Sequence, residues 1–402
     1  YDGSWNLDSP KIDYNLYFEA TGYVSKSTTV ENCPQTIRLL EDKLIGYQDK
    51  LWFKPGENIN VYVHSSIPYT AQLFRHGFEK QLIYDLGECE PLIQSVPDGF
   101  FVETGLNWVP AFQYRVPEGS RPGIYSLLLT SSGQESFAIP MIISTPKEDY
   151  GKKSKILVLA STNNWQSYNT WGGRSRYRNF EEQKSNEFIG THKLELKKRL
   201  RNKTARILPY SFKRVLKNSF FKKKYEEQNW VYKKLSLKRP FINCALEEET
   251  VFQPFTNHLA AGEWRILAWL EREGYQYDII SGFELNNEPE LLNNYQVIIL
   301  STHSEYWSRQ MYEGVKKHHH ENGLWIVNLS GNSMYREVEF FEDGSHRCVS
   351  LKFSESVADE TQLLGVRFTM DDYSTCAPYK IMDNSHWVFN KIPINKKTPY
   401  FG

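Results

Sequence analysis

The sequence predicts an α+β chain of two domains, an N-terminal β-sandwich followed by a doubly wound α/β domain. Three observations predict it. Residues 1 to about 147 carry short apolar–polar alternations punctuated by Pro and Gly, the pattern of a sandwich. After them come near-continuous apolar runs such as Val297–Leu300, which fit strands buried on both faces. Helical periodicity fills the gaps between those runs, so the second part has βαβ order and a parallel sheet. A chain of 402 residues also exceeds what one core usually spans.

In the first domain, placed at 1–147, Ile59, Val61 and Val63 alternate with polar residues across Asn58–Val63. Further strands are expected at Gln81–Asp85, Phe100–Thr104, Phe112–Val116, Gly123–Thr130 and Ser136–Ile143. Pro146, Gly151 and Lys152-Lys153 mark Thr145–Ser154 as the linker. The second domain, 148–402, opens on the strand Lys155–Ala160, which runs into the polar, aromatic turn Ser161–Tyr177. Between His192 and Arg239 lie 17 of the 48 basic residues, opposed only by Glu195, Glu226 and Glu227. Phe212, Leu216 and Phe220 recur there at helical spacing, so a basic helical insertion is expected around 184–234. It reads as a solvated face, a lid, or a patch for an anionic polymer. Glu263–Gly274 is the next helix and Tyr277–Ile280 the next strand.

Val297–Leu300 then ends in the turn Ser301–Trp307, which carries His303 and Glu305. Ser308 caps a helix that buries Met311, Val315 and His319 at i, i+4, i+8, and Gly323 stops it. Leu324–Leu329 follows as a parallel strand, ending at Ser330-Gly331-Asn332. Consecutive helical residues point about 100° apart, so His318-His319-His320 are structural and cannot chelate one ion together.

Composition narrows the function. Lys+Arg and Asp+Glu both number 48, so net charge names no polyanionic partner. No run of about 18 apolar residues appears, hence no membrane span is expected. Cys33, Cys89, Cys244, Cys348 and Cys376 are odd in number and lack a CxxC, which reads as reduced thiols in a cytoplasmic protein. The chain begins at Tyr1 without a signal-peptide pattern and reads as trimmed at the front. There is no G-x-S-x-G elbow, no GxGxxG after a strand and no P-loop.

Parallel strands deliver their C-terminal turns to one edge, where open α/β sheets bind ligands. Tyr168, His303, Glu305 and Asn332 should therefore meet, with Asn163, Asn164 and Gln166 near, on turns outside the core. A carboxylate with phenol oxygens makes a hard-oxygen site suited to Fe(III), a Lewis acid that polarises a carbonyl. His303 would act as a proton shuttle or hydrogen-bond donor, and Asn332 would orient a substrate oxygen.

Several blocks carry a resemblance: NNWQSYNTWGGRSRY, LAAGEWRILAWLEREGYQYDII, STHSEYWSRQMYEGVKKHHHENG, LSGNSMYR and SHWVF, with PGENINVYV and RPGIYSLLL nearer the front. Together they resemble the large (beta) subunit of N,N-dimethylformamidase over nearly the whole chain. The resemblance implies a β-sandwich followed by a domain like the class I glutamine amidotransferases. It also implies one iron held by two tyrosines and a glutamate, and hydrolysis of an amide C–N bond. Tyr168 and Glu305 match the ligand motifs; His303 and Asn332 match pocket positions. Phe241 stands where a family block carries a tyrosine, which leaves Tyr177, Tyr210 and Tyr232 as candidates for the second ligand. The family sequence runs on past Gly402, so a pocket acid is expected outside this chain. A homo-oligomer or a small partner subunit is expected. The alternative is a non-catalytic relative that binds a saccharide or an anionic polymer.

Overall fold

The computed structural model describes residues 15–34, 37–99, 101–177, 229–244, 246, 258–350, 360–366, 379–385, 387–389 and 400–401. It is a mixed α/β structure with many strands and few helices. The basic insertion expected around 184–234 falls outside the described residues except at its end, as do Phe212, Leu216 and Phe220.

Asn15–Phe18 (β1) and Lys26–Thr29 (β2) pair antiparallel at the front. Eight strands then follow: Ile45–Gln48 (β3), Trp52–Phe53 (β4), Asn58–His64 (β5), Tyr69–His76 (β6), Gln81–Cys89 (β7), Phe112–Arg115 (β8), Gly123–Thr130 (β9) and Phe137–Ile143 (β10). They form one sheet ordered β4-β10-β9-β6-β7 and a second ordered β3-β5-β8. The alternation in β5 does what its spacing dictates. Ile59, Val61 and Val63 turn inward and meet Ala71, Leu73, Leu127 and Leu129 of the other sheet in one apolar core.

Phe100–Thr104 is not the expected strand. Phe101–Thr104 is a helical turn (α1), which Gly105 closes at φ 88 by donating its N–H to the Phe101 carbonyl. Five residues hold too few periods to tell the two forms apart.

The second part is a parallel sheet of Ile156–Ala160 (β11), Asp278–Ser281 (β12), Val297–His303 (β13) and Trp325–Gly331 (β15), with Tyr306–Trp307 (β14) between the last two. The order is β12-β11-β13-β15. Helices lie on both faces because the strands are apolar on both. Val158 and Ala160 pack with Leu267 and Leu270 of Ala260–Arg272 (α3), whereas Leu157 and Leu159 pack with Leu285 of Gly282–Asn287 (α4) and Met311 and Val315 of Arg309–Asn322 (α5). The chain leaves β11 for β12 on one side and β13 on the other, so the order reverses between β11 and β13. That is a topological switch point, the place where open α/β sheets bind ligands beyond the strand ends.

In α5, Ser308 accepts a hydrogen bond from the Met311 N–H at 3.2 Å, and Gly323 ends the helix at φ 70. The buried histidine is His318, whose Nδ1 donates to the Gly314 carbonyl 2.8 Å away; His319, expected inside, is half-buried and meets the Leu324 carbonyl. A helix turns 3.6 residues, so the buried stripe drifts to i+7 rather than i+8 after two turns. Arg336–Phe340 (β16) and His346–Ser350 (β17) form a small sheet with β14, in which Tyr306 stands opposite Arg336. The N-terminal strands adjoin this layer directly: Trp52 and Ile142 share the core of Leu267, Thr145 N–H donates to the Ile279 carbonyl at 3.0 Å, and buried Arg75 pairs with Glu271. No helix among the described residues is long and apolar enough to cross a membrane.

Candidate active site

The turn after β11 becomes a short helix, Thr162–Tyr168 (α2), whose residues from Thr162 to Ser167 are all buried. Asn164 and Tyr168 are four apart and share a face. Both reach the turn after β13: the Asn164 Oδ1 accepts from the Glu305 N–H at 3.1 Å, and the Tyr168 hydroxyl stands 3.3 Å from Glu305 Oε2. His303 Nε2 lies 2.8 Å from the same hydroxyl and 3.2 Å from Glu305 Oε2. Three of the four expected residues therefore converge at the switch point.

The loop after α2 brings in a fourth group. Arg239 is fully buried and donates to the carbonyls of Asn169, Trp171 and Arg174, while Arg176 donates to those of Val231, Lys233 and His346. These bonds fold the loop back. Gly172 makes the turn at φ 84, where a Cβ would sit 2.7 Å from the Phe101 ring, so only glycine fits. Burial, with Arg174 and Arg176 near, pulls Arg239 down to about 9. Tyr177 ends the loop with its hydroxyl on Glu305 Oε2 and 3.1 Å from that of Tyr168. Of the three candidate tyrosines it is the one seen at Glu305. Tyr232 packs against the same apolar group, Tyr210 is outside the described residues, and Phe241 belongs to the core.

Glu305 was expected on a strand-end turn outside the core. It is 1% exposed, as it is wedged under α2 and β16. Its two oxygens have separate partners: Arg336 Nε donates to Oε1 at 2.7 Å, whereas the phenols and His303 cluster at Oε2. Burial works against the carboxylate charge, but the His303 bond, Arg336 and Tyr177 outweigh it and hold the pKa at about 2. Burial and the nearby Glu305 charge push both phenols upward, so each keeps its proton near neutrality.

Asn332 comes less close. Its neighbour Gly331 lies opposite His303 in the β13–β15 ladder, but its own half-buried side chain makes no hydrogen bond to the cluster. Thr302 (φ 42), Asn332 (φ 53) and Met334 (φ 55) all hold the left-handed conformation, which concentrates backbone strain beside these strand ends. His258 was missed by sequence reasoning. It stacks edge-on against both Tyr168 and His303 from just before α3. Below the site, Glu263 of α3 accepts from the Ser161 N–H at 3.0 and 3.2 Å, and burial pushes it up to about 8.

No three His, Cys, Asp or Glu side chains converge on a metal position among the described residues, so an ion here would need the phenols. The donor set fits a hard cation. Tyr168 and Tyr177 oxygens are 3.1 Å apart and Tyr168 is 3.3 Å from Glu305 Oε2. Adjacent oxygens on an ion at about 2.0–2.2 Å are separated by about 3 Å. Clefts of about 810 and 480 Å³ exist, the first lined by N-terminal strands and the second by N-terminal residues with Trp171, Gly172 and Ile242, and neither is lined by Tyr168, Tyr177, His303 or Glu305.

Comparison with known proteins identifies the family of the chain. The N,N-dimethylformamidase beta subunit of Alcaligenes sp is 24% identical over 239 residues, which span 58% of this chain and 28% of that protein. Two solved structures share 30% of the chain at TM-scores too low to carry an argument. They are alpha-2-macroglobulin from Escherichia coli (13% identity, 43% of that chain, TM-score 0.16) and a Paenibacillus sp. cycloisomaltooligosaccharide glucanotransferase (16%, 16% of that chain, 0.15). Residues 72–400 match the family described as N,N-dimethylformamidase beta subunit-like, C-terminal, and the chain belongs to that family.

Proposed function

We propose that the chain is a dimethylformamidase-like hydrolase of amide C–N bonds that depends on Fe(III). The single observation behind this reading is the convergence of Tyr168, Tyr177 and Glu305 Oε2 at oxygen–oxygen distances an ion can span, with His303 touching the same oxygen. Tyr168, Tyr177 and Glu305 would hold the iron, which when bound supplies Lewis-acid polarisation of the amide carbonyl. Arg336 fixes Glu305 so that Oε2 faces the phenols. His303 Nε2, beside the strand ends, accepts a proton from the attacking water and returns it to the leaving nitrogen. Asn332, at its strained turn, orients the substrate oxygen.

Around this site we further propose a cytoplasmic protein with a β-sandwich at 1–147 and a glutamine-amidotransferase-like domain at 148–402. The relative is named a beta subunit, so a partner subunit or a homo-oligomer belongs to the same reading. The test is hydrolysis of formamide, acetamide and N,N-dimethylformamide by the purified chain, before and after chelation. Turnover that disappears with the chelator and returns with Fe(III) supports the proposal. Turnover untouched by thorough iron removal contradicts it.

A further inference from the structure

One imidazole of the cluster has no part in the reading above. His258 lies two residues before Ala260, the start of α3, and is half-buried. Its ring stands edge-on to His303, with centroids 4.8 Å apart at 87°, and edge-on to Tyr168 at 5.0 Å and 76°. Both neighbours engage Glu305 through Oε2, while Arg336 holds Oε1, so His258 belongs to the Oε2 side.

The nitrogens distinguish it from the core histidines. His76 Nε2 meets Ser126 Oγ at 2.8 Å, His318 Nδ1 meets the Gly314 carbonyl at 2.8 Å and His346 Nε2 meets the Asn163 carbonyl at 3.1 Å. His258 has no hydrogen bond among the described residues. His258 is only half-buried, and a ring nitrogen without a protein partner beside the candidate site is open to a ligand. An imidazole nitrogen can donate or accept a hydrogen bond.

We propose that His258 is a substrate-contacting residue that hydrogen-bonds the amide group of the substrate through a ring nitrogen beside His303. This rests on the amide-hydrolase reading. The ring N–H suits the carbonyl oxygen that every carboxamide carries.

The test is steady-state hydrolysis of formamide, N-methylformamide and N,N-dimethylformamide by the iron-loaded full chain, as wild type, His258→Phe and His258→Asn. Phenylalanine keeps the ring contacts and removes the nitrogens. Asparagine loses the ring and restores an N–H. The expected result is a fall in kcat/KM of roughly tenfold for His258→Phe, carried by KM, the size of one lost hydrogen bond. His258→Asn should recover part of it, with iron content and melting temperature unchanged in both. A His258→Phe enzyme as active as an active wild type overturns this inference alone. So does a loss that follows the loss of iron in both variants. A wild type inert toward all three amides overturns the amide reading and this inference together.

Discussion

Glu305 does two jobs with two oxygens, one tied to Arg336 and the other open to Tyr168, Tyr177 and His303. Glu305→Gln keeps the shape but removes the charge, so bound iron should be lost, because a neutral amide oxygen is a poor ligand for a trivalent ion. The same change takes from buried Arg336 the counter-charge of Glu305 and should cost about 3–5 kcal/mol of stability, read by denaturant unfolding. A variant that kept its iron would refute the ligand assignment. Glu263 makes a second residue-scale case. Its folded pKa of about 8 lies above the ordinary 4.5, so the folded chain holds a proton that the unfolded chain releases. Its stability is therefore full below about 4.5 and falls as pH rises towards about 8. Glu263→Gln cannot ionise, so its advantage in melting temperature over the wild type should grow across that window, by up to about 1.4 kcal/mol per pH unit. A constant difference would show that Glu263 is ionised in the fold.

The elements that carry these residues differ in how legible they were. Helix α5 was readable almost to the residue, because Ser308, the apolar stripe and Gly323 are local signals. Ser308→Ala should cost about 1 kcal/mol, measured by thermal unfolding. The loop from Asn169 to Tyr177 was not readable. Tyr177 stood among three candidates because its position is set by Arg239 and Arg176, which bond carbonyls about 55–70 positions away or more in the chain. No periodicity records such contacts. His258 escaped for a related reason, as it precedes a helix and gains its neighbours only when α3 docks beside β13. Arg239→Met strands several buried carbonyls and should lower stability by roughly 3–5 kcal/mol while releasing Tyr177 from Glu305. An Arg239→Met protein with unchanged melting temperature would mean that the loop is held by other contacts.

At the scale of the molecule, parallel order did most of the placing. Once β11 and β13 were recognised as apolar runs, their C-terminal turns had to share one edge, and Tyr168, His303 and Glu305 meet there. Burial of that edge was not legible, since α2, β16 and the arginine-bound loop close over it from distant parts of the chain. The N-terminal sheets stay joined to this layer through Arg75, Glu271 and Tyr277. The central claim is that Tyr168, Tyr177 and Glu305 form one hard-oxygen iron site despite Phe241. The most direct measurement is the iron content and visible absorption of the purified chain after Fe(III) loading, for wild type, Tyr177→Phe and Phe241→Leu. The account predicts one iron per wild-type chain with a phenolate-to-iron absorption band, a weakened or lost band in Tyr177→Phe, and no change in Phe241→Leu. A wild type that binds no iron, or a Tyr177→Phe protein with the full band, would contradict it.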